Sequence, residues 1–445
     1  MKIKQWEDKH LSHFSYAIYS ERVQQIFLVD PARDPSQYIE FAKSLNARIA
    51  GVIETHPHAD FVSSHAELSE TYGVHIYASK LTGAAYPHQP FDEGQEIMLG
   101  GMILRAIYTP GHSPDSICIS LEEDGIIKAV FTGDTLFIGD CGRPDLREKD
   151  GLNARQQLAS MMYHSLRNKL LPLPDAAMVY PAHGAGTLCG RSLSKDHNST
   201  IGRERATNWS LREMEEDEFV EKLLTDQPFI PGYFAYDVEL NRNGVPAFQF
   251  SVDQVPVQPA VDPSNLDPDT WIVDGRDSQT YSRAHLFNSI NIMGEGKFET
   301  WLGTIIKPGE RFYLAAGSIK ETERLVARAA SIGYEPQIRS ALVLEDAPEA
   351  SPVFDLGLFT NNPGLFTIID VRNETETREN SIFKGAINIP LAELRNKIEK
   401  IPLDKPVVVH CSGGYRSAVG SSLIDSVLGG KVLVYDLGEN VRKFV

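Results

Sequence analysis

Four short segments share one build, an apolar run followed by a Gly or Pro turn that carries His or Asp. They are Ile53-Glu-Thr-His56-Pro-His58-Ala-Asp60, Tyr108-Thr-Pro-Gly-His112, Phe131-Thr-Gly-Asp134 and Val179-Tyr-Pro-Ala-His183. An apolar run bounded by turn signals reads as a buried strand. Only a fold that lays such strands side by side brings their polar ends to one point. That requires sheets with a site along one edge and helices between the strands, an α/β architecture. Helical patterns do fall between the runs, as at Pro35 to Leu45 and Ala154 to Leu170. Imidazole and carboxylate together suit Fe, Zn or Mn better than Ca. One His after a strand is ordinarily a hydrogen-bonded loop residue; four such segments make a metal site the better reading. His10, His13, His65, His75, His88, His164, His197 and His285 lack this setting and read as surface or packing residues.

At roughly 100–200 residues per domain, a chain of 445 residues should hold about three domains. A charged helix is expected over Met214 to Leu224, and the Pro-rich passage Val255 to Pro268 is the best linker candidate. Beyond it the sequence repeats. Trp271-Ile-Val-Asp274-Gly-Arg276 parallels Thr367-Ile-Ile-Asp370-Val-Arg372, and Asn288-Ser-Ile-Asn-Ile292 parallels Gly385-Ala-Ile-Asn-Ile389. A further apolar strand follows in each, Phe312 to Ala316 and Val407 to Cys411. Two copies of one α/β unit explain this. They differ where chemistry would sit, with Ala315-Ala316 in the first and His410-Cys411 in the second.

With 43 basic against 60 acidic residues, the net charge of −17 argues against nucleic acid or an anionic membrane as partner. No apolar stretch has the length of a membrane helix, and Met1-Lys-Ile-Lys-Gln-Trp lacks the apolar run of a signal peptide. A cytoplasmic protein is expected. Four cysteines are too few for a disulfide framework in a chain this long. Cys118 alternates within a strand and reads as core. Cys141 lies in a Gly-rich segment beside Arg143. Cys189 follows Gly184-Ala-Gly-Thr and precedes Gly190-Arg191, flexible and exposed neighbours that favour a reactive thiol. Cys411-Ser412-Gly413-Gly414-Tyr415-Arg416 opens a loop between a strand and a helical run. Backbone N–H groups at a helix N-terminus lower a thiol's pKa, two glycines let the chain curl around the sulfur, and Arg416 adds positive charge. Cys411 is the candidate nucleophile.

Thr55-His56-Pro-His58-Ala-Asp60 resembles the signature of the metallo-β-lactamase superfamily, whose fold is an αββα sandwich. In that superfamily the signature normally continues Asp-His, and the second His helps hold a second metal in hydrolases such as glyoxalase II. Here Phe61 follows Asp60, and a benzyl group cannot ligate. Gly133-Asp134-Thr to Gly142-Arg143-Pro-Asp145 is similar to the persulfide dioxygenases, which use one non-haem Fe(II). The resemblance implies one Fe(II) per chain on His56, His112 and Asp134, with His58, Asp60 and His183 as orienting groups around them. Two His and one carboxylate on one face also suit O₂ activation on chemical grounds. Arg143 matches a thiol-binding Arg and would meet a carboxylate or phosphate of the substrate; a salt bridge with Asp145 is the alternative.

The Cys411–Arg416 loop, Asp370-Val-Arg372 and Gly385-Ala-Ile-Asn-Ile-Pro390 resemble the rhodaneses. That resemblance assigns Cys411 and Arg416 to catalysis, and Ser412, Gly413, Gly414 and Tyr415 to substrate binding. His183-Gly-Ala-Gly-Thr-Leu-Cys189-Gly resembles the bacterial dioxygenases fused to rhodanese modules, where Cys189 would be a sulfur relay. The expected architecture is α/β: an αββα sandwich with an extension over 1–250, a rhodanese-like domain without nucleophile over 251–350, and an active one over 351–445. The implied activity is oxidation of a thiol persulfide of glutathione, coenzyme A or a similar thiol by O₂ to sulfite and thiol. Cys411 would then pass sulfane sulfur to sulfite, giving thiosulfate. A homo-oligomer is expected. Two alternatives compete: a two-metal thioester hydrolase similar to glyoxalase II, and a persulfide carrier or sensor without O₂ chemistry.

Overall fold

A computed structural model describes residues 1–146, 151–191 and 193–445, without the side chains of 151–153. The chain forms two compact units, one of Met1–Ser251 with Ala330–Gly333 and one of Val252–Ala329 with Tyr334–Val445.

Two six-stranded sheets build the first unit. One carries β1 (Lys2–Asp8), β2 (His13–Ser20), β3 (Gln25–Val29), β4 (Arg48–Ile53), β5 (His75–Ala78) and β6 (Gln89–Pro90), side by side in that order. The other carries β7 (Glu96–Leu99), β8 (Met102–Tyr108), β9 (Ile117–Glu123), β10 (Ile126–Gly133), β11 (Met178–Pro181) and β12 (Ser199–Thr200), ordered β12-β11-β10-β9-β8-β7. A strand turns alternate side chains to opposite faces, and here both faces are buried. Tyr16 and Ile18 of β2 meet Leu104, Ile119 and Phe131 between the sheets. Ala17 and Tyr19 of the same strand meet Tyr38 and Ala42 of the helix Ser36–Ser44 on the outside. Val130, Cys118 and Val179 pack outward on Ala159 and Met162 of the helix Gly151–Ser165. Helix, sheet, sheet and helix form four layers, the αββα sandwich expected, and Cys118 is core.

The second unit holds two parallel sheets. In the first run β13 (Val257–Gln258), β14 (Trp271–Asp274), β15 (Ser289–Asn291), β16 (Phe312–Ala316) and β17 (Ile338–Val343), ordered β13-β17-β16-β14-β15. The second has β18 (Thr367–Asp370), β19 (Ile387–Asn388), β20 (Val407–His410) and β21 (Val434–Asp436), ordered β19-β18-β20-β21. The Pro-rich passage expected as a linker is partly sheet: Val257 and Gln258 pair with Ala341 and Leu342. A two-residue edge strand tolerates Pro256 beside it because little of the ladder needs its missing N–H.

The sequence repeat is also a repeat of contacts. Asp274 faces Ala315 across the ladder and Asp370 faces His410. Arg276 grips Asp274 at 2.6 Å, as Arg372 grips Asp370 at 2.6 Å. Asn291 Nδ2 donates to the carbonyls of Asp274 and Arg276, and Asn388 Nδ2 donates to those of Asp370 and Arg372. Each set ties the strand-end aspartate to the next strand and closes the turn after it. Among the described residues, no helix is long and apolar enough to cross a membrane.

Candidate functional site

In the first unit each ligand-type side chain stands just past the C-terminal end of a strand. β4 delivers His56, His58 and Asp60, β8 delivers His112, β10 delivers Asp134 and β11 delivers His183. Donor atoms of His56, His112 and Asp134 lie within 4.8 Å of one another, as do those of His58, Asp60 and His183, and all six residues are buried. Asp134 touches both groups. Its Oδ2 is 4.0 Å from His56 Nε2 and 3.5 Å from His112 Nε2, and its Oδ1 is 3.4 Å from His183 Nε2.

An imidazole ligates through the nitrogen its other partner leaves bare. His112 Nδ1–H donates to the Arg143 carbonyl at 2.8 Å, and His183 Nδ1–H donates to the Ser12 carbonyl at 3.2 Å. The Thr55 hydroxyl gives its one proton to Asp30 Oδ2 at 2.9 Å, so it accepts from His56 Nδ1–H at 3.0 Å. All three rings therefore turn Nε2 toward Asp134. Among the described residues no N–H or O–H donor reaches either oxygen of Asp134, and His183 Nε2 and Asp60 Oδ1 lack partners. An unpaired buried polar atom costs about 1–3 kcal/mol, and a cation collecting these donors removes that cost. Burial holds the pKa of His112 below its usual value despite the charge of Asp134, which keeps the ring neutral as a ligand must be. The donor set fits a divalent metal of the Fe, Zn or Mn type.

His58 is held differently. Its Nε2 lies 3.2 Å from Asp30 Oδ1 and 3.7 Å from Glu54 Oε2. Burial works to lower its pKa, but the charge and hydrogen bond of Asp30, joined by Glu54, outweigh burial and push it up to about 9. The Phe61 ring is buried with its centroid 3.8 Å from that of His13 and 4.3 Å from that of His58. His13, read from sequence as a surface or packing residue, is 1% exposed and lies 5.7 Å, ring to ring, from His183. No Gly or Pro hinge follows it, so nothing in the pattern sets it apart. Asp30 and Glu54 were equally silent, because a carboxylate that supports a ring carries no turn signal of its own.

Two glycines fix the shape of this edge. A Cβ on Gly142 would lie 1.9 Å from the Asp134 carbonyl oxygen. Gly133 has φ +49°, and a Cβ there would meet Thr55 Oγ1 at 2.7 Å. Both allow backbone to pass where a side chain would not fit.

Two sequence expectations change. Arg143 forms the salt bridge with Asp145 that was the alternative to a substrate contact: it is 1% exposed and donates to Asp145 at 2.6 and 2.8 Å and to the Leu188 carbonyl at 3.1 Å. A planar guanidinium committed to a carboxylate two residues away is a loop brace. Cys189 is not exposed despite its glycine neighbours. It is buried with its thiol within 4.8 Å of donor atoms of Asp134 and His183. Burial, then Asp60 and Asp134, push its pKa well above the usual value, the reverse of an activated thiol. Cys141 lies in the core with Met162, and burial and Asp140 raise its thiol likewise.

In the second unit, β20 ends at His410 and Cys411 begins the loop. The Gly414 N–H points to Cys411 Sγ at 3.1 Å and the Gly413 N–H at 3.5 Å. Gly414 has φ +106° and precedes the helix Tyr415–Leu428, so the loop needs a residue free of Cβ there. Arg416 is paired with Glu376 at 2.6 and 2.8 Å and also donates to Ser412 Oγ at 2.9 Å. Its charge is shared with Glu376, and the free donors at the sulfur are backbone amides. Burial lowers the pKa of His410 below the usual value although Asp370 opposes this. The ring meets Phe383 edge-on at 4.9 Å and is packing.

A model of the metallo-β-lactamase superfamily matches residues 10–183, and a model of the rhodanese-like domain matches residues 358–440. The chain joins a metallo-β-lactamase domain to a C-terminal rhodanese domain. The crystal structure of a metallo-β-lactamase from Staphylococcus aureus is similar over 77% of the chain and 99% of its own length, with TM-score 0.68 and 29% identity. The mitochondrial persulfide dioxygenase ETHE1 of Bos taurus is 29% identical over 172 residues, 38% of this chain and 63% of that protein. The cytoplasmic hydroxyacylglutathione hydrolase of Arabidopsis thaliana is 30% identical over 174 residues, again 38% and 63%. The chain thus spans just under two thirds of the length of these curated relatives. The metallo-β-lactamase match covers the four strand-end segments. The rhodanese match covers the Cys411 loop and leaves out the first copy.

Proposed function

We propose that the chain oxidises low-molecular-weight thiol persulfides with O₂ at one Fe(II) and transfers sulfane sulfur through Cys411 to sulfite. The observation that carries this reading is Phe61. It puts an apolar ring beside His58 and Asp60 where a two-metal hydrolase needs another imidazole, while His56, His112 and Asp134 bring three ligand-type atoms within 4.8 Å of one another. The similarity to a persulfide dioxygenase supports it as well. One Fe(II) would be held by His56, His112 and Asp134, and it supplies the one-electron chemistry with O₂ that a spin-paired persulfide cannot begin alone. Thr55, the Arg143 carbonyl and the Ser12 carbonyl fix the tautomers of His56, His112 and His183. Asp30 and Glu54 hold His58, and Phe61 keeps the neighbouring wall apolar.

At the rhodanese loop the Cys411 thiolate attacks the outer sulfur of R–S–SH, forming Cys411–S–SH and releasing R–S⁻. Sulfite then attacks that outer sulfur; the S–S bond breaks, thiosulfate takes the sulfur and its proton, and the Cys411 thiolate returns. The N–H groups of Gly413 and Gly414 stabilise the thiolate in both steps. We assign 1–250 to the dioxygenase domain with its extension, 251–350 to a rhodanese-like domain without nucleophile and 351–445 to the transferring domain. Glutathione, coenzyme A or a similar thiol carries the persulfide, and the setting is cytoplasmic.

The buried group His58, Asp60 and His183 and the hydroxyacylglutathione hydrolase relative favour a second reading, a two-metal thioester hydrolase. His112→Ala separates the two. Loss of iron together with persulfide-dependent O₂ uptake is expected. Unchanged O₂ uptake, or a wild-type protein with two zinc ions per chain and thioesterase activity, would overturn the proposal.

A further inference from the structure

β15 is the edge strand of its sheet, so its outward backbone groups find no strand partner. One face of the helix Tyr415–Leu428 meets them. Ser426 Oγ donates to the Ser289 carbonyl at 2.9 Å, the Asn291 N–H donates to Ser422 Oγ at 2.9 Å, and Tyr415 Oη donates to the Met293 carbonyl at 2.7 Å. Ser289 and Asn291 of the strand alternate, as the outward groups of an edge must, and Met293, two residues past its end, continues the alternation. Helix positions 415, 422 and 426 lie in one stripe. Beyond β15, Arg328 braces the chain that receives Tyr415. It grips Glu299 at 2.5 Å and donates to the carbonyls of Gly294 and Gly296. Gly296 leaves room for the Tyr415 ring, since a Cβ there would lie 3.3 Å from Tyr415 Cε2. Tyr415 follows directly on Gly413 and Gly414, whose N–H groups point at the Cys411 sulfur.

We propose that the first copy is a positioning device: through Tyr415, and secondarily Ser422 and Ser426, its edge strand sets the helix N-terminus that cradles the Cys411 sulfur. Tyr415 is then a positioning residue, its hydroxyl committed to Met293 and not to substrate. This rests on reading Cys411 as the transferring thiol, and it accounts for a rhodanese-like unit that has Ala316 in place of that thiol. Two N–H groups stabilise a thiolate only while they point at it, so a small rotation of the helix start weakens the cradle without unfolding anything.

The test measures the alkylation rate of Cys411 by iodoacetamide, followed by peptide mass spectrometry over a pH series in the full-length protein. Tyr415→Phe is expected to slow the reaction at neutral pH by about tenfold and to move the midpoint of the rate–pH curve upward. Loss of a contact that only holds the fold would lower the melting temperature without moving that midpoint. An unchanged rate and midpoint in Tyr415→Phe overturn the proposal. The double variant Ser422→Ala with Ser426→Ala should shift the curve the same way by less, and an unchanged curve there overturns it should Tyr415→Phe fail to fold. The role of Cys411 is read separately. Thiosulfate formation persisting in Cys411→Ser would sink the transfer reading and leave the alkylation result standing.

Discussion

The two copies in the second unit share a frame and differ in its contents. Both close the turn after the first strand with an aspartate, an arginine and an asparagine in matching bonds. At the next strand end they part. In the second copy Cys411 enters a loop whose glycines leave two N–H groups for the sulfur. The first copy passes from Ala316 through Gly317 and Ser318, and the helix Ile319–Ala330 starts one residue sooner. There Ser318 Oγ accepts from the Glu321 N–H, so a side chain closes the helix end that its counterpart turns toward the Cys411 sulfur. The difference teaches that the aspartate–arginine–asparagine set makes the shared frame, while the N–H cradle at a sulfur belongs to the loop alone.

Removing the contents should have the largest effect. Cys411→Ser should reduce thiosulfate formation to background while O₂ uptake continues and sulfite accumulates. Ala316→Cys in that background should restore nothing, because the shorter turn and Ser318 leave no cradle. A persulfide found by mass spectrometry on the thiol so introduced would break the comparison. The frame comes next. Arg276→Leu and Arg372→Leu each strand a buried aspartate, and each should cost about 3 kcal/mol in chemical denaturation. Costs differing by more than about 2 kcal/mol would show that the matching bonds do not carry matching weight. The smallest effect concerns Asp436 on β21. Its counterpart in the ladder of the first copy is Ala341, which faces Leu314 as Asp436 faces Val409. Burial pushes the Asp436 carboxyl up to about 6. A carboxyl raised by folding favours the native state at low pH, and that contribution is lost as pH rises through 6. Asp436→Asn should therefore raise the melting temperature at pH 8 and change it little at pH 4. A gain at pH 4 equal to that at pH 8 would show that charge is not the cause.

Most of the frame was legible because it is periodic. Apolar runs ending in Gly or Pro named the strands β4, β8, β10 and β11, and the residues just beyond them are those the fold gathers. The repeat was legible because the same residues make the same turn twice. What was not legible depends on distance along the chain. His13 reaches the site from β2 with no turn signal. Glu376 meets Arg416 across 40 residues, and nothing near either one announces the other. Arg143 was legible as a candidate substrate contact or a partner of Asp145, and its two bonds to Asp145 are the second of these. Cys189 misled: glycines predict a pliable backbone, and here a pliable backbone folds inward.

Gly142 contributes no donor, charge or nucleophile, yet its α-carbon has no space for even a methyl group beside the Asp134 carbonyl. A substitution there pushes on the residue that both ligand groups share. The site's tolerance of change is thus lowest at a position outside its chemistry. A random screen for clones that no longer retain metal should return Gly142 variants alongside those of His56, His112 and Asp134, and almost any replacement should suffice.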